Sequence, residues 1–321
     1  MEYRNLGSSG LLVSCLGLGT TNFGMRAGVD VDAVVNSALD LGVTLFDTAE
    51  IYNAGRSEEL LGKALGNRRH DAIIATKWGG STKGVAITKV RHSGSRDYMY
   101  KACEGSLKRL RTDYIDLYQL HEPDPATPIE ETLRACDDLI RSGNVRYIGL
   151  SNMAPWQVVE AQLTAKIMGL TAFVSCQAEF SVVSRAAAVG ELQTVMQRYG
   201  LGLLPYFPLA SGLLTGKYRA GEPFPADSRF SEVKGRYQKF QAADHLTIAA
   251  ALEEFALSRQ RTLIELAFGW LLMQPTVSSI LAGATKPAQL VMNAAALNWS
   301  LSSDELAEVE HIAKTPSSSG Q

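Results

Sequence analysis

Four residues of this chain are of types that could together handle a proton: Asp47, Tyr52, Lys77 and His121. Asp47 ends the apolar run Leu45-Phe46-Asp47, and Tyr52 follows in the next loop. Lys77 ends Ile73-Ile74-Ala75-Thr76-Lys77, and His121 ends Ile115-Asp116-Leu117-Tyr118-Gln119-Leu120-His121. Singly, each has a plain structural reading: a turn cap, a packed ring, a solvated strand end, a structural imidazole. Jointly they say more, because three successive strands carry an ionisable group at the same end. Buried Asp and Lys are tolerated when paired, and an Asp47–Lys77 pair beneath Tyr52 satisfies both. The lysine charge favours a phenolate, lowering the tyrosine pKa from about 10 toward working pH. A phenol tuned in this way can protonate a developing alkoxide, and a neutral His121 can orient a carbonyl. Neither the electrophile nor the source of electrons follows from these residues.

For the four to converge, the C-terminal ends of their strands must meet, as they do at the rim of a closed parallel barrel. Strands are expected at 15–20, 44–47, 72–77, 114–120, 146–150, 172–177, 201–206 and 278–282. Helical patterns at about 30–41, 57–65, 96–110, 130–141, 156–167, 191–199, 245–257 and 262–273 alternate with them. Continuous rather than alternating hydrophobicity marks strands buried on both faces. Eight such units predict an α/β fold, a (β/α)8 TIM barrel. Residues 3–16 predict an N-terminal β-hairpin around Gly7-Ser8-Ser9-Gly10. The long segments 78–97 and 207–244 follow strands and are expected as loops or lids at the C-terminal face. One domain over 1–312 and a disordered tail over 313–321 complete the expected organisation.

Thirty-one basic and 33 acidic residues give a net charge of −2, with no bulk pull toward nucleic acid or anionic membrane. Cys15, Cys103, Cys136 and Cys176 are widely spaced, which predicts reduced core thiols. An apolar signal core is missing at the N-terminus, and so is any apolar stretch of about 18 residues, so a cytoplasmic location is expected. His70, His92, His121, His245 and His311 lack metal-binding spacing. Gly149-Leu150-Ser151-Asn152-Met153 lacks the second glycine of a nucleophile elbow. Gly17, Gly19 and Gly24 miss the spacing of a dinucleotide-binding turn, and no helix follows at once. Glycines at a strand end instead let a ligand or a neighbouring backbone come close.

Over residues 1–312 the chain resembles the aldo-keto reductase family. The matching features are Gly17-Leu18-Gly19-Thr20, Phe46-Asp47-Thr48-Ala49-Glu50-Ile51-Tyr52, Thr76-Lys77 and the run Asp113 to His121. Arg146 to Asn152, Tyr206 to Tyr218 and Gly283-Ala284-Thr285 follow in order. It looks most like the bacterial branch of general-stress-protein-like reductases, which is related to potassium-channel β subunits. The resemblance implies NADPH-dependent reduction of aldehydes and ketones, with Tyr52 as acid, Lys77 and Asp47 tuning it, and His121 positioning the carbonyl. It implies that Ser151, Asn152 and Gln177 hold the nicotinamide carboxamide and that Tyr206 stacks on the ring. The pyrophosphate loop carries over as Leu209 to Lys217, with Leu209, Ala210, Gly212, Leu213 and Lys217 in the cofactor site, and Phe207 and Pro208 just before it. Thr285, Lys286, Gln289 and Asn293 carry over near the 2′-phosphate and adenine, and Gly19, Thr20, Asp47 and Gly283 join the cofactor site on the same ground.

A hydroxyl at 285 and a point charge at 286 suit a phosphate better than a bare ribose hydroxyl. NADP is therefore expected over NAD. Three positions depart from the family pattern: Phe207 for a common serine, Ala282 for a proline, and Met292 for a glutamate beside Asn293. Trp78, Phe23 and Phe207 are expected to line an apolar substrate pocket, with core packing as the alternative. The expected partner is a small carbonyl compound, with no nucleic acid and no membrane. The rival readings are a slow nucleotide-binding redox sensor and a sugar or polyol dehydrogenase using NAD. Substrate identity and oligomeric state are not legible in the sequence.

Overall fold

The structure, a computed structural model, describes residues 1–80, 92–186, 188–218, 222–225, 228–232, 238–241 and 243–314. Strands β1 (Tyr3–Asn5) and β2 (Leu12–Ser14) form an antiparallel hairpin, matching the expectation for residues 3–16. Then follow β3 (Leu16–Gly19), α1 (Val31–Asp40), β4 (Leu45–Asp47), α2 (Arg56–Leu65), β5 (Ile73–Trp78) and α3 (Arg96–Leu110). Next come β6 (Ile115–Leu120), α4 (Ile129–Arg141), β7 (Val145–Ser151), α5 (Pro155–Met168), β8 (Ser175–Glu179) and α6 (Glu191–Tyr199). The chain continues through β9 (Gly202–Tyr206), α7 (Arg229–Glu232), α8 (Ala243–Leu257), α9 (Leu263–Leu272), β10 (Ile280–Gly283), α10 (Pro287–Ala295) and α11 (Ser303–Lys314).

Strands β3 to β10 pair in parallel, each with the next, and β10 closes back onto β3. This is the (β/α)8 barrel read from the sequence. Local chemistry makes the alternation. Asp30 caps α1 by accepting from Ala33 N at 3.0 Å, and the helix buries Val31, Val34, Val35, Ala38 and Leu39 on one stripe. Gly42, at φ 80°, then turns the chain into β4 through the left-handed region that other residues avoid.

Two apolar layers result. The larger lies between helices and sheet, and the smaller fills the barrel with Leu45, Ala75, Leu117, Leu204 and Leu281. Leu6 and Val13 of the hairpin segment pack onto that inner cluster and are fully buried. Two residues further along β4, β5 and β6 the same inward face carries Asp47, Lys77 and Gln119. Gly149 pairs with both Gln119 and Ser175, and a Cβ there would lie 2.5 Å from Ser175 Oγ and 3.1 Å from Gln119 Cγ. Only glycine leaves room for the polar side chains that cross the barrel at this height.

Three expectations are adjusted. Strand β8 runs over Ser175–Glu179 rather than 172–177. Helix α11 reaches Lys314, past the expected boundary at 312. Of the expected lids, residues 81–91 and much of 219–242 lie outside the described residues, as does the tail from 315. Among the described residues, no helix is long and apolar enough to cross a membrane.

Candidate active site

Lys77 is fully buried at the end of β5, and its ammonium makes three contacts. It donates to Asp47 Oδ1 at 2.6 Å, to the Thr48 carbonyl at 2.8 Å and to Tyr52 Oη at 3.3 Å. Burial opposes the charge on Lys77, but Asp47 first and Tyr52 second outweigh it, and the pKa is raised. The other carboxylate oxygen, Asp47 Oδ2, accepts from Gln177 Nε2 at 2.8 Å and Gln119 Nε2 at 3.3 Å. A buried ion pair of this kind is tolerated because the ammonium and both carboxylate oxygens are hydrogen-bonded.

Tyr52 is delivered by a tight turn. Asn53, Ala54 and Gly55 take φ values of 51°, 55° and 86°, and Asn53 Nδ2 ties the turn to the Phe23 carbonyl at 2.7 Å. Non-glycine residues in the left-handed region cost about 1 kcal/mol or more and persist where the surroundings enforce them. Glu50 fastens the same loop to β5, accepting from Gly79 N at 2.9 Å and the Tyr98 hydroxyl at 2.7 Å. Burial raises the Glu50 pKa. Glu50 lies within the motif Phe46 to Tyr52, and its anchoring role is visible only in the fold. A carboxylate two residues before a key phenol was the available signal.

His121 follows β6, its backbone N donating to the Trp78 carbonyl at 2.9 Å. Its ring stands edge-on to Tyr52, with centroids 5.9 Å apart. Burial, and then the nearby Lys77 charge, push its pKa down to about 3, so the imidazole is neutral near pH 7. Its Nδ1 is buried with no hydrogen-bond partner among the described residues. The three residues read from strand ends and the phenol of the following loop are therefore brought together. A phenol with an ammonium at its oxygen and a neutral imidazole at its edge can release a proton to an oxygen in the adjoining space.

That space is a cavity of about 680 Å³ at the C-terminal rim. Asp47, Tyr52 and His121 line it, while Lys77 stands behind them. Of the candidate cofactor residues, Gly19, Ser151, Asn152, Gln177 and Tyr206 line it on one side. Phe207, Pro208, Leu209, Gly212 and Lys217 line it from the loop after β9, Gly283 from the end of β10, and Thr285, Gln289 and Asn293 from the segment beyond.

The structure does not put every candidate in the wall. Thr20 is fully buried, its hydroxyl spent on the Asp47 carbonyl at 3.0 Å and Ser57 Oγ at 2.8 Å. Ala210 and Leu213 belong to the core, and Lys286 is an exposed residue at the N-cap of α10. The expectation that Trp78 and Phe23 line the pocket is corrected: both are fully buried in the outer core. Because Lys77 points inward, strand alternation turns Trp78 toward the helices, where its ring lies 4.5 Å from Tyr118. Phe207 does line the cavity.

Three observations test whether a nicotinamide dinucleotide fits. A Cβ on Gly19 would meet nothing closer than the Ala282 carbonyl at 4.0 Å, so packing does not demand this glycine and its bare backbone opens to the cavity. Ser151 Oγ and Ser211 Oγ, both in residues of the cavity wall, are buried without partners among the described residues. Finally, Phe207, Ala210, Ser211, Gly212 and Gly216 have φ of 53°, 46°, 60°, 102° and 76°. Successive turns of this kind gather backbone N–H groups into anion-binding concavities, here beside Lys217. The donor set fits such a ligand. Sequence reading did not single out Ser211, whose burial without a partner only the coordinates reveal. It also omitted Asn22, Ile51 and Glu122, which line the cavity from short loops without periodic pattern.

A closed parallel barrel with a Tyr–Lys–Asp–His cluster at its rim cavity defines a barrel oxidoreductase class. The chain belongs to the aldo/keto reductase family, whose sequence profile matches residues 15–314. Membership carries NAD(P)-linked oxidoreductase chemistry. A rice (Oryza sativa subsp. japonica) protein named "Probable voltage-gated potassium channel subunit beta" is 39% identical over 310 residues, covering 93% of this chain and 92% of that protein. A protein of the same name from Arabidopsis thaliana is 37% identical over 310 residues, with the same coverage of 93% and 92%.

Proposed function

We propose that this protein reduces aldehydes or ketones to alcohols with NADPH, Tyr52 supplying the proton. The observation that carries this reading is the single ammonium of Lys77 held between Asp47 Oδ1 at 2.6 Å and Tyr52 Oη at 3.3 Å. Reduced nicotinamide, when bound, supplies the hydride. The chain's own residues do the rest. Tyr52 gives its proton to the carbonyl oxygen as negative charge develops there, and Lys77 stabilises the charge left on the phenol. Asp47 keeps Lys77 ionised, and neutral His121 donates a hydrogen bond that orients the carbonyl. The unpartnered Ser151 hydroxyl, with Asn152 and Gln177, holds the carboxamide, and Tyr206 lies against the ring. Ser211, Gly212 and Lys217 take the pyrophosphate, while Thr285, Gln289 and Asn293 meet the adenosine end.

Preference for NADP over NAD rests on Thr285 and the exposed charge of Lys286. The substrate is a small carbonyl compound met in the cytoplasm. Steady-state oxidation of NADPH and of NADH across aldehydes, ketones, sugars and quinones tests the reading. Turnover with at least one carbonyl, faster with NADPH, is expected. No consumption of either nucleotide with any carbonyl would sink it.

A second reading is favoured by the channel-subunit name of both relatives: a nucleotide-binding redox sensor that turns over slowly. The same assay separates the two, since a sensor binds NADPH tightly while its turnover with every carbonyl stays near zero.

A further inference from the structure

Gln119 is fully buried, does not line the cavity and has no part in the proton path set out above. Its side chain nonetheless sits where the two halves of the site meet. Gln119 Nε2 donates to Asp47 Oδ2 at 3.3 Å, and Gln119 Oε1 accepts from Gln177 Nε2 at 3.4 Å. Gln177 Nε2 also donates to Asp47 Oδ2 at 2.8 Å. An ionised carboxylate has no hydrogen to give, so the edge of Gln177 that faces Asp47 must be its NH2 edge. Both N–H groups of Gln177 are thereby turned inward. Its Oε1 accepts from no described residue, and the residue lines the cavity. Gly149 makes this arrangement possible, because a Cβ there would come within 3.1 Å of Gln119 Cγ.

We propose that Gln119 is a positioning residue that, with Asp47, locks Gln177 so that it presents only an acceptor to the cavity. The claim rests on the cofactor reading above and adds to it. A side-chain amide free to rotate could offer either edge, and would take a hydrogen-bond donor or an acceptor equally well. A locked one selects. The ligand group it selects is one that carries N–H, such as the primary carboxamide of nicotinamide. A methyl ketone of the same shape has no N–H to give and leaves the acceptor unpaired. One buried carboxylate then serves two ends: through Lys77 it supports the phenol, and through the two glutamines it sets the polarity of the carboxamide seat.

The test uses the full chain and compares NADPH with its reduced 3-acetylpyridine analogue, in which a methyl ketone replaces the carboxamide. Dissociation constants come from quenching of intrinsic tryptophan fluorescence, so no turnover is needed. The wild-type protein is expected to bind NADPH at least about tenfold more tightly than the analogue. Gln119→Leu and Gln119→Met remove the oxygen that holds the second N–H of Gln177, and the ratio of the two constants should fall toward one. General damage to the fold weakens both ligands together and leaves the ratio alone. A wild-type ratio near one overturns the assignment, and so does a ratio unchanged in both apolar variants. If neither nucleotide binds the wild type, the cofactor reading itself falls. Binding of both without discrimination defeats only the role given to Gln119. Should the variants not fold, the wild-type ratio still decides whether the seat is locked as an acceptor.

Discussion

The interior of the barrel has two floors of opposite character, with β4, β5 and β6 contributing to both. The lower is Leu45, Ala75, Leu117, Leu204 and Leu281, with Leu6 and Val13 of the hairpin segment packed onto it. The upper is Asp47, Lys77, Gln119, Ser151 and Gln177, every one of them buried. On β4, β5 and β6 the two floors are separated by only two residues, one repeat of the strand. Apolar side chains below need only fill space, and many arrangements of similar volume serve. Asp47, Lys77, Gln119 and Gln177 are satisfied together in one arrangement, because their donors share particular acceptors. What is left over above, Ser151 Oγ and His121 Nδ1, is where a ligand can be met. Cohesion is concentrated at one end of the barrel and reactivity at the other.

Removing the phenol hydroxyl should break the upper floor's function and little else. Tyr52→Phe is expected to lower kcat by about 10²–10⁴-fold, with the dissociation constant for NADPH and the urea midpoint close to wild type. Full activity in that variant would retire Tyr52 as the proton donor.

A matched pair of substitutions sharpens the contrast between floors. Lys77→Met leaves the Asp47 charge buried and unpaired, so it should cost about 3–5 kcal/mol in urea unfolding as well as most of the activity. Leu117→Ala on the floor below should cost about 2–5 kcal/mol while kcat at low temperature is largely kept. If Leu117→Ala removed the activity of the folded protein, the separation of roles would be lost.

The smallest expected effect is in pH. Folding lowers the His121 pKa from 6.5 to about 3, so within that window the unfolded chain binds more protons than the folded one. Stability contributed by neutral His121 is therefore present above about 6.5 and lost as the pH falls toward about 3, at a limiting slope of about 1.4 kcal/mol per pH unit. Urea midpoints from pH 7 to pH 4 should fall more steeply for wild type than for His121→Gln. Parallel curves would show that burial of this imidazole does not couple to folding.

The apolar floor and outer core were largely legible in the sequence, because strands buried on both faces write themselves as unbroken hydrophobic runs. The polar floor disturbs that signal. Strand β8 reads Ser175-Cys176-Gln177-Ala178-Glu179, and its inward positions are polar because they serve the site. Hydrophobicity therefore drew the expected strand back toward Ala172-Phe173-Val174, a stretch held instead by Gln162, which bonds both the N–H and the carbonyl of Phe173 at 3.1 Å. Helix α11 was not anticipated either, although Ser302 and Glu305 form a reciprocal cap at its start. Asp47, Lys77 and His121 at strand ends, and Tyr52 in the loop beyond, could be found because their types are conspicuous there. Ser211 could not, since a serine in a loop is ordinary until its hydroxyl is seen without a partner. Trp78 misled in the opposite sense: an aromatic beside Lys77 looks like a pocket wall until strand alternation is applied to it.

The cavity is walled by Gly19 near one end of the chain and by Gly283 near the other, on strands that pair side by side. During synthesis, then, the site has no existence until the last barrel strand has left the ribosome and found the first. A nucleotide in the cell cannot brace the growing polypeptide, and a transcript truncated before residue 280 yields a product that the cofactor cannot rescue.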